Sequence, residues 1–200
     1  MMVTVRQPVR IQFKVKRSEF IADLFPVQSR SEVEAVLRTR KKEHPKARHI
    51  CWAYRLYHPE SVVEYGSDAG EPSGTAGTPI LHQLQRRNLV QCGLTVVRYF
   101  GGIKLGIRGL IDAYGQAAAN AVDAAQCVRF VPVTQGLLMA PFRHIGDLNR
   151  IVSNLEGRIV QDLSGETIRW KVAIPDQVLE DFSRKIGEIP NTRWEKIEQA

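Results

Sequence analysis

Two glycine-rich stretches contain the side chains of this sequence that are best suited to hold an anion. The first stretch, residues 68–77, is Asp-Ala-Gly-Glu-Pro-Ser-Gly-Thr-Ala-Gly, and a helix-like pattern follows it. Glycine lets the backbone approach a ligand closely, and the start of a helix presents unpaired N–H groups. The hydroxyls of Ser73 and Thr75, together with the N–H groups from Gly74 to Gly77, therefore predict a phosphate site.

Three cations are expected to add positive charge to this site. Arg98 and Lys104 flank the second glycine-rich stretch, Arg-Tyr-Phe-Gly-Gly-Ile-Lys-Leu-Gly, and Arg108 falls in the first turn of the next helix-like segment. Tyr99 and Phe100 lie beside these cations, and such a mixture of aromatic and basic side chains can stack on single-stranded bases. Phe100 also continues an apolar strand pattern, however, which favours a position in the core.

Two acids in the first stretch leave its role open. Asp68 and Glu71 would repel phosphate unless they pair with Arg98 or Lys104, or cap a helix. In an alternative interpretation, Glu71 is the base of an enzyme whose phosphorylated or nucleotide substrate is held by the two hydroxyls and Lys104.

The common nucleotide and hydrolase motifs are missing. No Gly-Lys pair occurs in the chain, which excludes a Walker A loop, and no Gly-x-Gly-x-x-Gly follows a strand. Gly70 and Gly74 do not give Ser73 the Gly-x-Ser-x-Gly spacing of a nucleophile elbow. The sequence therefore predicts no catalytic set and no cofactor.

The cysteines and histidines do not form a metal motif either. Cys51, Cys92 and Cys127 are widely spaced within apolar or small-residue runs, which predicts buried thiols in a reducing cytoplasm. His44, His49 and Cys51 match no standard metal-site spacing. We predict no metal site.

The composition is that of an ordinary globular chain, with 44% hydrophobic and 24% charged residues in 200. No apolar run approaches the roughly 18 residues of a membrane helix. The first ten residues are polar and lack the apolar core of a signal peptide. We expect a cytoplasmic protein with no membrane partner.

Positive charge is concentrated in the first part of the chain. Residues 1–130 contain 19 Lys and Arg against 11 Asp and Glu, whereas residues 131–200 contain 9 against 10. This difference predicts two domains, 1–130 and 131–200, with different roles. A basic domain makes RNA a plausible partner.

Residues 1–130 show strand and helix patterns in mixed order. Partial alternation predicts two strands within residues 11–27, and Ser31 with Glu34 predicts a capping box for a helix that ends before Pro45. Further apolar patterns predict strands 49–57, 62–65 and 92–100, a linking strand 128–133, and helices 76–86 and 110–125, the last with a small-residue face.

Four cations cluster around the end of the first predicted helix: Lys41, Lys42, Lys46 and Arg48. Cations at that end of a helix suit its dipole, and they would equally suit a nucleic-acid patch. Both interpretations stay open at the level of the sequence.

Residues 131–200 predict the order β-α-β-β-α-β. The strands are expected at 135–140, 158–163, 167–174 and 193–197, and the helices are expected around 145–155 and after Pro175. This order is typical of a ferredoxin-like domain. The fold class predicted for the whole chain is α+β.

The paired motifs closely resemble the signature of the YigZ/IMPACT family. The resemblance rests on residues 68–77 and 98–106, with His44-Pro45, His49 and residues 51–55 upstream, and it covers about residues 15–127. It implies a ribosomal protein S5 domain 2-like fold for the N-terminal domain. The C-terminal segment resembles the ferredoxin-like domain that bacterial members append, which is similar to the last domain of ribosomal elongation factors.

The chain departs from the family pattern close to the predicted site. Thr78 stands where a Lys or Arg commonly precedes the proline, and Asp112 stands where Arg is common. Residues 107–109 replace a more glycine-rich run. We hypothesise that Arg108 replaces the missing charge.

Three functional hypotheses remain open. The resemblance implies a link to translation, because the eukaryotic member is a translational regulator that competes for a protein partner of a starvation-sensing kinase. The leading hypothesis is a non-catalytic module that binds RNA, the ribosome or a translation-associated protein. The others are a protein–protein adaptor with purely structural loops, and the enzyme described above.

Overall fold

The computed structural model describes residues 1–197 as a mixed α/β protein built of helices and antiparallel sheets. Contacts divide the chain into two compact units, Met1–Phe130 and Val131–Ala200. No helix in the described part of the chain is long and apolar enough to span a membrane.

The first unit consists of strands and helices that alternate irregularly along the chain. In order, they are β1 (Val3–Val5), β2 (Val9–Val15), β3 (Ser18–Pro26), α1 (Arg30–Glu43), β4 (His49–Tyr57), β5 (Val62–Ser67), α2 (Gly77–Arg86), β6 (Cys92–Tyr99), α3 (Gly106–Ala124) and β7 (Cys127–Arg129). Five of these strands form one antiparallel sheet in the order β2-β3-β6-β4-β5, and β1 pairs with β7.

Both faces of this sheet are covered, because successive side chains of a strand point to opposite faces. In β4, Cys51 and Ala53 belong to the buried cluster formed with α2 and α3. Tyr54 and Leu56 belong to the cluster formed with α1. The central strand β6 lies between these layers, which explains its nearly continuous apolar sequence.

The longest helix, α3, packs through its small residues. Ala117, Ala118 and Ala121 are fully buried in the same cluster as the sheet residues Ala22 and Val96. Small side chains allow the helix axis to approach the sheet closely.

The second unit has the predicted order of elements. They are β8 (Val133–Ala140), α4 (Ile145–Asn154), β9 (Arg158–Asp162), β10 (Ile168–Pro175), α5 (Leu179–Gly187) and β11 (Arg193–Lys196). Its antiparallel sheet has the order β11-β8-β10-β9. Leu138, Val172 and Phe182 are fully buried in its separate core.

Three local predictions were wrong. The N-cap of α1 is Ser29 and not Ser31: the hydroxyl of Ser29 accepts from the Glu32 N–H at 3.3 Å, and the Glu32 carboxylate accepts from the N–H of Gln28 at 2.9 Å. The sequence contains two overlapping Ser-x-x-Glu patterns, and the helix uses the first. Cys127 is exposed, because it lies on β7 in the small two-stranded sheet. The predicted strand 128–133 is divided, because β7 pairs with β1 while β8 joins the sheet of the second unit.

Candidate functional site

The first glycine-rich loop is closed by its own aspartate. The carboxylate of Asp68 accepts hydrogen bonds from the N–H groups of Gly74, Ala76 and Gly77, each at 2.8 Å. Burial acts to raise the pKa of Asp68, but these three N–H groups outweigh it and hold the pKa below its usual value. Three of the four N–H groups that the sequence assigned to a phosphate therefore already have an anion, which belongs to the chain, and the fourth, of Thr75, donates to the carbonyl oxygen of Pro72 at 3.1 Å.

Two glycines press this loop and the start of α2 against β5. A Cβ on Gly77 would lie 2.5 Å from the backbone N of Ser67, and one on Gly66 would lie 2.6 Å from the carbonyl oxygen of Gly77. Real side chains do not fit at such distances. The glycines here bring two backbones together.

The two hydroxyls of the first loop have different surroundings. Thr75 is buried, and its hydroxyl donates to the carbonyl oxygen of Pro72 at 2.7 Å. Ser73 lies in an exposed turn, beside Gly74 with its positive φ of 76°. Thr75 thus stabilises the turn, and only the Ser73 hydroxyl of this pair is exposed.

Glu71 and Arg98 form a buried ion pair. Nη1 of Arg98 lies 2.7 Å from Oε1 of Glu71, and the two side chains are 9% and 5% exposed. The hydroxyl of Tyr114 donates to the same carboxylate oxygen at 2.9 Å. The pairing that the sequence allowed is therefore present. A carboxylate so enclosed is not presented to a substrate, so Glu71 does not fit the role of an accessible base.

Beneath this pair, Cys51 and Tyr114 stay protonated. Burial raises the pKa of Cys51 to about 12, and burial also raises the pKa of Tyr114. The Cys51 thiol donates to the carbonyl oxygen of Asp68 at 3.0 Å. These groups act as hydrogen-bond donors that fix the first loop on the sheet.

Arg98 lies between two aromatic rings. Its guanidinium carbon is 5.8 Å from the ring centre of Phe20 and 5.6 Å from that of Phe100, as in cation–π contacts. Its Nε is buried and has no hydrogen-bond partner among residues 1–197. Phe100 is 55% exposed, so its expected core position was wrong: β6 ends at Tyr99, one residue earlier.

The second glycine-rich loop rests on the turn between β2 and β3. A Cβ on Gly101 would lie 2.0 Å from the carbonyl carbon of Arg17, and the Gly101 N–H donates to the Ser18 hydroxyl at 3.2 Å. Gly102 and Gly106 have positive φ values of 86° and 73°. Glycine adopts these left-handed conformations without strain, within the loop at Gly102 and at the first residue of α3 at Gly106.

A cavity of about 630 Å³ opens beside this second loop. Four cations line it: Lys46, Arg48, Arg98 and Lys104. The first two come from the segment between α1 and β4, which lies close because His49 is the register partner of Arg98. We call this space the basic cavity. Lys46, Arg48 and Lys104 are exposed and form no ion pair within the part of the chain that the structure describes.

The remaining wall of the basic cavity is largely apolar. Phe100, Leu105, Ile107 and Leu110 contribute to it, and no Asp or Glu from residues 1–197 does. The start of α3 forms part of this wall, and no side chain in the described chain caps that start at Leu105. Its N–H groups add a partial positive charge on the side of the cavity.

The other predicted site residues lie outside this cavity. Arg108 is exposed on the first turn of α3 but does not line it. Thr78 and Asp112 line a separate hollow between α2 and α3, where the lining cation is Arg86. The hypothesis that Arg108 replaces charge at Thr78 and Asp112 gains no support from this arrangement.

The histidines considered as metal ligands have protein partners. Nδ1 of His49 donates to the carbonyl oxygen of Ala69 at 3.0 Å, and Nδ1 of His44 is hydrogen-bonded to the Tyr99 hydroxyl at 2.8 Å. Among residues 1–197, no group of three His, Cys, Asp or Glu side chains could hold a metal ion.

Sequence reasoning identified Lys46 and Arg48 as a basic cluster but did not assign them to the site. The missing information was the strand order: β4 lies next to β6 in the sheet, and this neighbourhood carries residues 46–48 to the second loop. Leu105 and Ile107 were missed for a simpler reason, because apolar residues at a helix start give no binding signal in the sequence.

Comparisons with known proteins identify relatives of this chain. The family model of the Impact N-terminal domain matches residues 16–122. The IMPACT family member YigZ of Escherichia coli (strain K12) is 32% identical over 182 residues, which cover 90% of this chain and 89% of that protein. Protein IMPACT of Xenopus laevis is 36% identical over 95 residues, which cover 46% of this chain and 30% of that protein.

A solved structure also matches over the whole length. It is a crystal structure of a hypothetical protein, with a TM-score of 0.71 and 29% sequence identity. The match covers 100% of this chain and 98% of that one. A fold similar to that of this chain therefore also occurs in an experimental structure.

Proposed function

The chain belongs to the IMPACT family, which confirms the resemblance found in its sequence, and we propose on that basis that it is a non-catalytic binding module linked to the regulation of translation. Its partner is RNA, either free or in the ribosome, and the contact is made through the basic cavity of the first unit. Such a role belongs in the cytoplasm.

One observation carries the choice of RNA: the basic cavity combines exposed cations without ion-pair partners and an exposed aromatic ring. Phosphate contacts supply a large share of the affinity of nucleic acids for proteins, and unstacked RNA bases bind to aromatic side chains. Glu71 is next in the sequence to Pro72, which lines the cavity, but its charge is already neutralised by Arg98. The excess of positive charge in residues 1–130 acts in the same direction.

The fold assignments belong to the same proposal. We assign the S5 domain 2-like fold to residues 1–130 and the ferredoxin-like fold to residues 131–200. The second assignment is supported by the order β-α-β-β-α-β and by the sheet order β11-β8-β10-β9. Both folds host many functions, so they add no argument about the ligand.

A protein–protein adaptor is the second candidate. It is favoured by the first glycine loop, whose N–H groups at Gly74, Ala76 and Gly77 are all used by Asp68. If the polar groups of the second loop were also satisfied within the protein, neither loop would bind a ligand. In this alternative, a translation-associated protein takes the place of RNA as the partner.

Co-sedimentation with ribosomes and polysomes tests the proposal. The test variant is Arg48→Ala/Lys104→Ala, which removes two exposed cations of the basic cavity. The matched control is Lys14→Ala/Arg129→Ala, which removes one Lys and one Arg from exposed positions of the same unit, outside the cavity. Arg98 is kept, because its removal would leave Glu71 buried without a counter-charge.

We expect the wild-type protein to associate in a salt-dependent manner between about 50 and 200 mM salt, and the slope of log K against log salt to fall by about two in the test variant. The control variant should keep the wild-type slope. Association with neither ribosomes nor free RNA, or association that does not change with salt, would exclude the RNA proposal and favour the adaptor.

A further inference from the structure

We propose that the basic cavity binds a single nucleotide, with the base against Phe100 and the phosphate between Arg48, Lys104 and the start of α3. The inference rests on the proposed function, because it names the part of an RNA that the cavity takes. The nucleotide is either the end or an unpaired residue of a strand, or a free nucleoside monophosphate, since both have the same chemistry.

A phosphate alone would not cover the apolar part of the cavity wall. Phe100 is 55% exposed and Ile107 is 67% exposed, and both line the cavity together with Leu105 and Leu110. An inorganic anion would leave this surface in water. A ligand with a flat, weakly polar body covers it, and a nucleobase has this shape.

The number of bases follows from the position of the ring. One side of Phe100 faces the guanidinium of Arg98, whose carbon lies 5.6 Å from the ring centre. The exposed side is left for one base. The cavity volume of about 630 Å³ is in the range of small-molecule sites.

The phosphate position follows from the charges. Arg48 and Lys104 are exposed cations of the lining, and the uncapped start of α3 forms part of the same cavity wall. Arg98, the fourth cation of the lining, is held by Glu71 and is not assigned to the phosphate. Helix starts and cations together are a common phosphate site.

An acidic peptide would satisfy the same cations but not the ring. Its carboxylates are carried on flexible chains without a planar face, so Phe100 would contribute little to its binding. This difference allows the ligand class to be tested through one side chain.

The experiment measures binding to the full chain by calorimetry and fluorescence anisotropy. The probes are adenosine monophosphate, ribose 5-phosphate, a short single-stranded oligoadenylate, a blunt RNA duplex and polyglutamate. The variants are Phe100→Ala and, as a matched control, Tyr65→Ala, which removes an aromatic ring of the same unit that is 54% exposed and lies outside the cavity.

We expect saturable binding of one nucleotide per chain, and weaker binding of ribose 5-phosphate. Phe100→Ala should weaken the nucleotide or the single strand by roughly 5- to 150-fold, which is the effect of losing one stacked base. Tyr65→Ala should leave the affinity unchanged. If adenosine monophosphate binds, a free nucleotide is a sufficient ligand for the cavity. If only the oligoadenylate binds, the ligand is a nucleotide within a strand.

Three results would overturn the inference: no saturable binding of either nucleotide probe, equal losses in the Phe100 and Tyr65 variants, or polyglutamate binding with the same dependence on Phe100. The proposed function fails separately. If ribosomes bind in a salt-dependent manner while Phe100→Ala has no effect on any probe, the RNA proposal stands and the nucleotide pocket does not.

Discussion

The two glycine-rich loops have similar composition but opposite surroundings. Each leads into a helix, α2 or α3. At the start of α2, the carboxylate of Asp68 takes the N–H groups of Ala76 and Gly77. At the start of α3, no side chain of the described residues caps the helix, and the basic cavity lies beside it.

The difference shows that a glycine-rich loop before a helix does not by itself define an anion site. What decides is whether the chain supplies the anion. The first loop contains an aspartate that reaches the helix start, so the loop contributes to folding. The second loop contains Lys104 and no acid between Arg98 and Gly106, so its positive charge stays available.

The largest change in stability is expected from the buried ion pair between Glu71 of the first loop and Arg98 at the start of the second. Arg98→Ala leaves the Glu71 carboxylate buried without its counter-charge, and we expect a loss of about 3–5 kcal/mol in the free energy of unfolding. Urea denaturation followed by circular dichroism measures it. If the loss stays below about 1 kcal/mol, then Arg98 is free for a ligand, and the distinction between the loops is wrong.

A double variant separates the lost pair from a general disturbance of the core. Arg98→Met/Glu71→Gln removes both charges and keeps an acceptor for the Tyr114 hydroxyl. Replacing a buried ion pair by groups of similar volume is often neutral, so this variant should recover most of the stability.

The close backbone packing of the first loop gives the next effect. Gly77→Ala places a Cβ 2.5 Å from the Ser67 nitrogen, so β5 and α2 must separate. We expect a loss of about 1–3 kcal/mol, again from urea denaturation. Gly115→Ala, in the interior of α3, is the matched control: its new Cβ would lie 3.8 Å from Pro79 of α2, an ordinary contact, so it should gain about 0.5–1 kcal/mol. Similar losses in both would show that the loop contact is not special.

The elements themselves were well predicted from the sequence, because their patterns are local. The strand His49–Tyr57 and the helix ending at Arg86 follow from apolar runs and periodicity. Local rules failed where two solutions were equally good, as with the overlapping capping boxes of α1. They also failed where pairing depends on distant chain, as with the short strand β1, which pairs with β7.

The candidate site could be predicted only in part, because two distant segments of the chain form it. The pairing of β4 with β6 brings these segments together. Arg98 and Lys104 were found from the second loop, but the loop does not show that Lys46 and Arg48 lie opposite. Asp68 was recognised as an obstacle to phosphate and as a possible cap. The role of Asp68 is decided by its hydrogen bonds to residues six to nine positions further along the chain, and hydrophobic periodicity does not predict such bonds.

The charge of Asp68 gives a smaller and pH-dependent effect. Its pKa in the folded protein is lowered, so it contributes stability above its unfolded pKa of about 3.9, and this contribution is lost as the pH falls through the folded value. Asp68→Asn loses the acceptor for the Gly74 N–H, and we expect it to cost about 0.5–2 kcal/mol at neutral pH.

The difference between wild type and Asp68→Asn should therefore shrink as the pH is lowered from about 5 into the acid range. Thermal unfolding at a series of pH values measures this. Asp112→Asn, at an exposed position of α3, is the control and should change the stability by less than about 0.5 kcal/mol throughout. A difference for Asp68 that is constant with pH would mean that its charge does not hold the loop.

The smallest effect on folding is expected at Lys104, and it separates the two loops most clearly. Lys104 is exposed and forms no ion pair with residues 1–197, so Lys104→Ala should change the free energy of unfolding by less than about 0.5 kcal/mol. The same change should lower the salt slope of RNA binding by about one, because one phosphate contact is lost. Lys14→Ala, outside the cavity, should change neither quantity. If the second loop binds a ligand, it must contain a residue that contributes to binding and not to folding, and Lys104 is that residue. In the first loop, Asp68 and Gly77 contribute to folding instead. If Lys104→Ala instead destabilises the protein and leaves the slope unchanged, both loops are structural and the adaptor is the better proposal.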